Sequence, residues 1–316
     1  APRYIPTHGE VLSVVWRLHI VVCADELHRR TIVHLERGIW TIGRTPNTDA
    51  SGIAVDDPTL SRCHFRITVK TPSSPVVIED LESRNGTYVG GRPIKQARAG
   101  HGAVIRAGGL VCVLESDFAR FPYCADPTPD VPGRSAMARK LRGEIDAAAR
   151  DGYPVMFLGP TGSGKEHAAA ELHRRANRSG RLVRLNVAAV PSHLFESELF
   201  GHVRGGFTGA SQDRLGRIRE AAGGTMVLDE IGCLPLPLQP KLLRALEEGI
   251  VRPVGADADV TVDVRFCAAT NADLEAMTTA GTFRADLLAR LSFHTIALPP
   301  ICERKPDLFD LADVVS

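Results

Sequence analysis

The sequence predicts a two-part chain, with an all-β sandwich followed by an α/β P-loop domain built on a parallel sheet. Up to about residue 118, short runs rich in Val, Ile and Thr recur between clusters of turn residues, which is typical of sandwiches and barrels. Beyond about residue 135, strand-like and helix-like runs alternate, as in parallel sheets with crossover helices. We place the two domains at 11–118 and 135–316, with a linker over 119–134.

Composition and charge narrow the class of protein. The chain has 316 residues, of which 44% are hydrophobic and 24% charged, so pervasive disorder is excluded and about two domains are expected. Thirty-eight Lys and Arg against 37 Asp and Glu give a net charge of +1, which argues against a polybasic coat for nucleic acid or membrane. The seven cysteines are scattered and never spaced C-x-x-C, which predicts buried free thiols rather than a zinc site or disulfide framework. Because no early apolar stretch is long enough to span a bilayer, we expect a cytoplasmic protein.

The β-rich part contains a series of short predicted strands separated by turn residues. They are Val11–Val22, Thr31–Leu35, Ile39–Ile42, His64–Val69, Val76–Glu79, Thr87–Val89, Val104–Ile105 and Leu110–Leu114. The linker is marked by its prolines, because proline at this density interrupts both helices and sheets. These prolines are Pro122, Pro127, Pro129 and Pro132.

The later part begins with a helical pattern over Ser135–Arg150, where apolar residues recur every three or four positions. Four strand-like runs and a second helical stretch follow it. The strands are Val155–Leu158, Leu182–Asn186, Met226–Leu228 and Phe266–Ala269, and the helix is Glu166–Ala176.

A glycine-rich turn fits the pattern G-x-x-x-x-G-K between the first of these strands and the helix. Its glycines let backbone N–H groups wrap a phosphate, the helix N-terminus adds a positive dipole end, and the lysine reaches the outer phosphates. Glu166 stands where a Ser or Thr is usual, so that hydroxyl ligand for Mg²⁺ is missing. The predicted ATP-binding residues are Gly159, Pro160, Thr161, Gly162, Ser163, Gly164, Lys165 and Glu166.

Further along, an apolar strand ends in two carboxylates, Asp229 and Glu230. Downstream of a phosphate loop, this pair predicts that Asp229 holds Mg²⁺, directly or through water. Glu230 is expected to orient and deprotonate the attacking water.

From about Gly133 onward, the chain resembles the AAA+ ATPase module of the sigma-54-dependent transcription activators. The motifs that carry the resemblance are Gly159–Glu166, Glu196–His202, Gly205–Ala210, Leu228–Ile231, Gln239–Arg244, Ala268–Asn271, Phe283–Leu287 and Arg290–Leu291. In this family a helical lid and a helix-turn-helix DNA-binding domain would follow residue 316. DNA binding is therefore expected only through a domain outside this chain.

The resemblance implies further roles. Asn186 would restrain the catalytic glutamate, and Thr270 and Asn271 would sense the γ-phosphate. Arg284 and Arg290 would act as arginine fingers on the ATP of a neighbouring subunit in a homo-oligomeric ring, expected to be a hexamer. The surface loop expected to contact sigma-54 RNA polymerase comprises Gly205, Gly206, Phe207, Thr208, Gly209 and Ala210. Gly206 replaces the usual Ala, which is expected to loosen this loop.

The β-rich part resembles a forkhead-associated (FHA) domain, a sandwich that reads phosphothreonine. The resemblance rests on Ile42–Arg44, Leu60–His64 and Asp80–Val89. A phosphate dianion needs charge-assisted donors on preformed loops. The residues expected to bind the phosphothreonine peptide are Arg44, Ser61, Arg62, Arg84 and Asn85, and His64 is expected to buttress their loop.

Together these predictions indicate an ATP-dependent activator that remodels sigma-54 RNA polymerase and is regulated by phosphothreonine recognition. A phosphopeptide-binding adaptor with a degenerate or incomplete ATPase is the alternative. A P-loop kinase is a weaker third reading, because no substrate-phosphorylation motif accompanies the phosphate loop.

Overall fold

The fold is described from a computed structural model that covers residues 14–24, 29–46, 51–71, 74–118, 126–207, 210–308 and 310–311. The chain divides into two compact units. The β unit contains the described residues up to Asp126, together with 132–140 and those after Ile301. The α/β unit contains 127–131 and 141–301.

The β unit is built from strands that form two sheets. These strands are β1 (Val14–Val22), β2 (Ile32–Leu35), β3 (Gly38–Gly43), β4 (Ser51–Ala54), β5 (Phe65–Val69), β6 (Val76–Asp80), β7 (Thr87–Val89), β8 (Arg92–Ile94), β9 (Gln96–Ala99), β10 (Val104–Ala107) and β11 (Leu110–Phe118). One sheet has the order β2-β1-β11-β10-β7-β8, and the other has the order β4-β3-β5-β6-β9. Inward-facing residues of both sheets share one core, including Leu18, Ile42, Phe65 and Ile105. The predicted all-β sandwich is therefore confirmed.

Each predicted strand run of this unit corresponds to an observed strand, although residues 11–13 lie outside the described residues. The sequence missed β4, β8 and β9. These strands are short and mostly exposed, so they show little of the apolar alternation that predicts a half-buried strand.

The α/β unit contains one five-stranded parallel sheet, a two-stranded hairpin and short helices. Its strands are β12 (Val155–Leu158), β13 (Leu182–Asn186), β14 (Thr225–Asp229), β15 (Ile250–Val251), β16 (Val260–Thr261), β17 (Arg265–Thr270) and β18 (His294–Ala297). The helices are α1 (Ala136–Ala149), whose first turn belongs to the β unit, α2 (Lys165–Arg175), α3 (Phe195–Phe200), α4 (Arg217–Glu220), α5 (Gln239–Glu248), α6 (Leu274–Thr279) and α7 (Ala285–Leu291).

The parallel sheet has the order β13-β14-β17-β12-β18. Its central strands β14 and β17 are almost continuously buried, as expected for parallel strands covered on both faces. Because all five strands run the same way, the residues that follow β12, β13, β14 and β17 meet at one edge of the sheet. The sequence missed β18, an edge strand with a single buried residue.

The described cysteines are all free. Cys23, Cys112 and Cys267 are buried, as predicted, whereas Cys233 and Cys302 are exposed. No helix among the described residues is both long and apolar enough to cross a bilayer.

Candidate functional sites

The phosphate loop joins β12 to α2 and is held in a conformation that requires glycine. Gly162 and Gly164 have φ angles of +78° and +91°, which residues with a Cβ rarely adopt. The amides of these two glycines make no hydrogen bond within the described part of the chain. The buried Lys165 Nζ donates to the carbonyls of Gly159 (2.9 Å) and Pro160 (3.2 Å). The loop thus combines available backbone donors with a fixed cation, as an anion site requires.

Ser163, in the same loop, has a side chain that is only 3% exposed. Its Oγ atom has no hydrogen-bond partner among the residues that the structure describes. A buried hydroxyl without a partner is costly, so this orphaned group fits a loop that receives a polar ligand.

Two carboxylates lie at the end of β14, as predicted. Asp229 is the last residue of the strand, and Glu230 follows it with the left-handed backbone angles φ 52° and ψ 51°. This conformation is unusual for a residue other than glycine, and such strain concentrates at functional sites. Both side chains are partly exposed and are therefore accessible to a ligand.

Asn271 connects this carboxylate pair to the phosphate loop. Its Nδ2 donates to Thr161 Oγ1 (3.1 Å), and its backbone N–H lies 3.5 Å from Glu230 Oε2. The neighbouring Thr270 is fully buried, and its Oγ1 accepts a hydrogen bond from Ala272 N within the turn. Of the two predicted sensor residues, Asn271 is the one whose side chain contacts the loop.

Asn186 ends the adjacent strand β13. Its Nδ2 lies 3.4 Å from Asp229 Oδ2, so its contact is with the aspartate rather than with Glu230. Restraint of Glu230 by Asn186 therefore stays a prediction.

A metal site formed by protein ligands alone is absent among the described residues, because no group of three or more His, Cys, Asp or Glu side chains converges there. This agrees with the way in which Mg²⁺ binds at phosphoryl-transfer sites, through one or two carboxylates, water and the substrate phosphates. Asp229 is a carboxylate of the kind that such a site uses, beside a loop built for phosphates. The donor set fits Mg²⁺ bound together with a nucleotide.

Among the described residues, neither predicted arginine finger forms a hydrogen bond or ion pair with this cluster. Arg284 caps the N-terminus of α7 and forms two hydrogen bonds with Asp286 (3.0 and 2.6 Å). These bonds raise the pKa of Arg284 and lower the pKa of Asp286. Arg290 lies in the last turn of α7, and its buried Nε has no partner in the described part of the chain. Their action on a neighbouring subunit stays a prediction.

Backbone hydrogen bonds hold together the two ends of the loop predicted to contact sigma-54. Gly205 N donates to Ala210 O (2.8 Å), and Ala210 N donates to Phe207 O (3.0 Å). The Phe207 ring is 39% exposed and packs edge-to-face on His202, with the ring centroids 5.0 Å apart. Thr208 and Gly209 lie outside the described residues.

Gly206 lies close to a neighbouring backbone segment. A Cβ at this position would lie 2.5 Å from Val254 O, so glycine permits a close backbone contact with the segment after β15. The wide backbone freedom of glycine does not by itself predict this contact between Gly206 and Val254.

In the β unit, backbone hydrogen bonds align the loops after β3 and before β5. Arg44 N donates to Ser61 O (2.9 Å), and Thr45 N donates to Arg62 O (3.0 Å). A Cβ at Gly43 would lie 2.2 Å from Arg62 O, so only glycine allows this approach.

His64 joins this pair of loops to the loop after β6. The ring is fully buried, and its Nδ1 accepts from Ser61 N (3.1 Å). Nε2 therefore carries the proton and donates to Gly86 O (3.2 Å). Ser61 Oγ also accepts from Arg84 N (3.1 Å), so the loops share Ser61 as a common contact. The predicted buttressing role of His64 agrees with this geometry.

Arg44, Arg62 and Arg84 lie on these connected loops and are all exposed. Their guanidinium groups form no ion pair with any described residue. Exposed cations on loops fixed by hydrogen bonds are suited to a phosphate dianion.

Two residues that the sequence did not predict, Thr59 and Asp57, also shape this surface. Asn85 Nδ2 donates to the carbonyl of Thr59 (2.7 Å), and Thr59 Oγ1 accepts from Gly109 N (2.7 Å). Asp57 Oδ1 accepts from Thr59 N (2.8 Å). The sequence Asp57-Pro-Thr59 carried a signal for this contact, because Asp and Thr often hydrogen bond to nearby backbone in turns.

Asp80 supports the last of these loops from the end of β6. Burial acts to raise its pKa, but hydrogen bonds from Ser83 and Thr87 outweigh burial and lower the pKa below the ordinary value. Asp80 therefore remains an ionised acceptor at neutral pH and holds the loop that carries Arg84.

Comparison with known proteins defines the class to which these sites belong. Residues 131–297 match the sigma-54 interaction domain, and residues 40–108 match the FHA domain. The chain therefore belongs to the sigma-54 interaction domain family, a family of AAA+ ATPase domains, and also contains an FHA domain.

Several known proteins are similar to the α/β part of this chain. Regulatory protein LuxO of Vibrio cholerae is 50% identical over 184 residues, which is 58% of this chain and 35% of LuxO. Response regulator protein PilR of Pseudomonas aeruginosa is 46% identical over 182 residues, or 57% of this chain and 41% of PilR. NtrX from Brucella abortus, solved in complex with ADP, has 35% identity and a TM-score of 0.52 over 57% of this chain and 40% of NtrX. The chain thus spans well under half the length of these proteins.

Proposed function

We propose that this chain is the regulatory and ATPase part of a cytoplasmic transcription activator that remodels sigma-54 RNA polymerase. ATP hydrolysis in a homo-oligomeric ring, which we propose to be a hexamer, would drive the loop from Gly205 to Ala210 against the sigma factor. The FHA domain would regulate the ring by binding a phosphothreonine-containing protein or peptide.

One observation supports ATP hydrolysis most strongly. The phosphate loop, the carboxylates of Asp229 and Glu230, and the amide of Asn271 share one edge of the parallel sheet, and Asn271 contacts both Thr161 and Glu230. A simple phosphate-binding loop would need no carboxylate pair at this position. ATP hydrolysis needs a phosphate cradle, a base for water and a group that senses the γ-phosphate.

The roles follow from the chemistry of each group. Lys165 and the loop amides would bind the phosphates, and Asp229 would hold Mg²⁺, which neutralises charge on them. Glu230 would accept a proton from the water that attacks the γ-phosphorus, with ADP as the leaving group. Arg284 and Arg290 would supply positive charge from the adjacent subunit.

A test of this function measures the ATPase rate against protein concentration for the wild-type chain and for Lys165→Ala. We expect the specific rate of the wild type to rise with concentration, because each site needs a second subunit, and Lys165→Ala to be inactive. Lys95→Ala, an exposed lysine of the β unit, is the matched control. Turnover that is absent in the wild type would favour the phosphopeptide-binding adaptor. Turnover that is independent of Lys165 would remove the proposed active site.

Phosphothreonine recognition is supported by the exposed Arg44, Arg62 and Arg84 on loops fixed through Ser61 and His64. The test titrates an array of threonine peptides, each in phosphorylated and unphosphorylated form, against the wild type and Arg44→Ala. We expect phosphate-dependent binding by the wild type that falls at least tenfold in Arg44→Ala and persists in Arg92→Ala, an exposed arginine of β8. Equal binding of both peptide forms would rule out this role.

A further inference from the structure

A buried glutamine links the segment after the catalytic carboxylates to the first arginine of α7. Gln239 is the first residue of α5 and is fully buried. Its Nε2 donates to Leu234 O (3.0 Å) and to Thr282 O (3.2 Å), and its Oε1 accepts from Arg284 N (2.8 Å). One side-chain amide thus satisfies three backbone groups from two separate segments.

Each of these segments leads to a residue of the proposed active sites. Leu234 ends a short turn that is hydrogen bonded back to Glu230 through Cys233 N (2.9 Å). On the other side, Arg284 has extended backbone angles and accepts a hydrogen bond from Leu288 N (3.0 Å) as α7 begins. The bond to Gln239 therefore fixes the backbone from which the Arg284 side chain projects.

The packing around this contact leaves little freedom for the Arg284 backbone. Phe283 and Leu287, on either side of it, are buried in the same core as Leu242 of α5. The Arg284 side chain itself is 43% exposed, and among the described residues it pairs with the exposed Asp286 alone. Its backbone is thus anchored, while its guanidinium group is exposed and held only by a surface ion pair of the kind that contributes little and can be exchanged for another partner.

We propose that Gln239 is a positioning residue for Arg284, and that it acts on the ATP site of the neighbouring subunit rather than on its own. This inference rests on the proposed function, because it needs Arg284 to act between subunits. Its physical basis is that a displacement of about 1 Å in a catalytic group can cost about 10²-fold in rate.

Two substitutions of Gln239 distinguish the hydrogen bonds that its side chain donates from the one that it accepts. Gln239→Met keeps the length of the side chain and removes all three hydrogen bonds. Gln239→Glu keeps the acceptor for Arg284 N and, in the protonated form that full burial favours, one O–H donor for the carbonyl of Leu234 or Thr282. We expect the ATPase rate to fall about 10- to 100-fold in Gln239→Met and less in Gln239→Glu. ATP affinity should stay within about twofold, because the phosphate loop of the same chain is intact. Gln96→Met, on exposed β9, is the control and should match the wild type.

Rings assembled from two different variants show whether the change at Gln239 affects the ATP site of its own subunit or that of the neighbouring subunit. A mixture of Lys165→Ala and Arg284→Ala should regain activity, because some sites combine an intact phosphate loop with an intact Arg284. Gln239→Met should regain activity with Lys165→Ala and should fail to do so with Arg284→Ala.

Two results would contradict, separately, the role of Gln239 and the action of Arg284 between subunits. The reverse pattern, with rescue by Arg284→Ala only, would show that Gln239 acts on its own active site and would overturn the inference. Failure of the reference mixture of Lys165→Ala and Arg284→Ala would instead overturn the action of Arg284 between subunits. Should Gln239→Met fail to fold, as judged by thermal unfolding, the same pairings with Gln239→Glu decide the question.

Discussion

His64 shows how a single buried side chain can organise a recognition surface. It accepts a hydrogen bond from Ser61 N and donates one to Gly86 O, so it connects two loops that carry exposed arginines. Both ring nitrogens are used, which fixes one neutral tautomer. The ring therefore contributes to the shape of the surface rather than to its charge.

Replacing His64 by Ala should leave the Ser61 amide and the Gly86 carbonyl without a partner. Two fully buried groups at about 1–3 kcal/mol each would cost about 2–6 kcal/mol. Because Ser61 and Gly86 are only half-buried, we expect the lower part of this range, a loss of about 2–4 kcal/mol in the unfolding free energy of the β unit. Urea unfolding followed by tryptophan fluorescence measures this unit alone, because both tryptophans, Trp16 and Trp40, lie within it. His101→Ala, at an exposed position, should change stability by less than about 1 kcal/mol. Equal stability of the two variants would contradict the buttressing role.

At the same scale, the sequence predicted the candidate site residues better than the residues that contact them. The spacing of the phosphate loop and the Asp-Glu pair predicted Lys165, Asp229 and Glu230, because these motifs are local. The left-handed conformation of Glu230 and the contact of Asn186 with Asp229 were not foreseeable from any local pattern. They depend on how β13, β14 and the following turn meet in space.

At the scale of elements, the carboxylate of Asp259 links the hairpin of β15 and β16 to α5. Asp259 accepts hydrogen bonds from Arg252 Nε (2.6 Å) and Arg244 Nη2 (2.8 Å). These two arginines lower the pKa of Asp259 to about 2. Val254, whose carbonyl meets Gly206, lies in the loop between β15 and β16, so this attachment supports the base of the proposed sigma-54 loop.

Asp259 should make this attachment sensitive to acid. Its folded pKa of about 2 lies below the unfolded value of about 3.9, so its contribution is fully present above pH of about 4 and is lost as the pH falls through 2. Carboxyl NMR should show a titration near pH 2 that disappears in Asp259→Asn. At neutral pH, limited proteolysis should cut the hairpin several-fold faster in Asp259→Asn than in Asp257→Asn, the exposed neighbour. A midpoint near 4 for Asp259 would show that the two arginine contacts do not persist in solution.

The elements themselves were predicted where their pattern is regular. Buried strands such as β12, β14 and β17 and the helices α1 and α2 follow from apolar runs and helical spacing. The edge strands β4, β8, β9 and β18 carry too few buried residues to produce such a pattern. Their pairing is decided by a neighbouring strand rather than by their own sequence.

At the scale of the whole molecule, the near-neutral charge predicts weak contact with DNA. A net charge of +1 offers little release of counterions from duplex DNA, and this release dominates non-specific binding. At 0.15 M salt we expect no saturable binding of a labelled duplex up to about 100 μM chain, measured by fluorescence anisotropy. A dissociation constant below about 1 μM that rises steeply with salt would contradict this expectation and reveal a basic surface. The triple variant Arg44→Ala, Arg62→Ala and Arg84→Ala then tests whether the FHA surface is responsible.

The sequence by itself determined the motifs of this protein and their order along the chain. The FHA motifs, the phosphate loop and the Asp-Glu strand end are short patterns in which neighbouring residues act together, so spacing alone reveals them. Only the tertiary structure decided which distant groups support them. Gln239 reaches Arg284, and Asn271 reaches Thr161, across sequence separations over which no periodic pattern extends. Likewise Gly206 matters through its approach to Val254, because close packing depends on the space around a residue as well as on its own freedom.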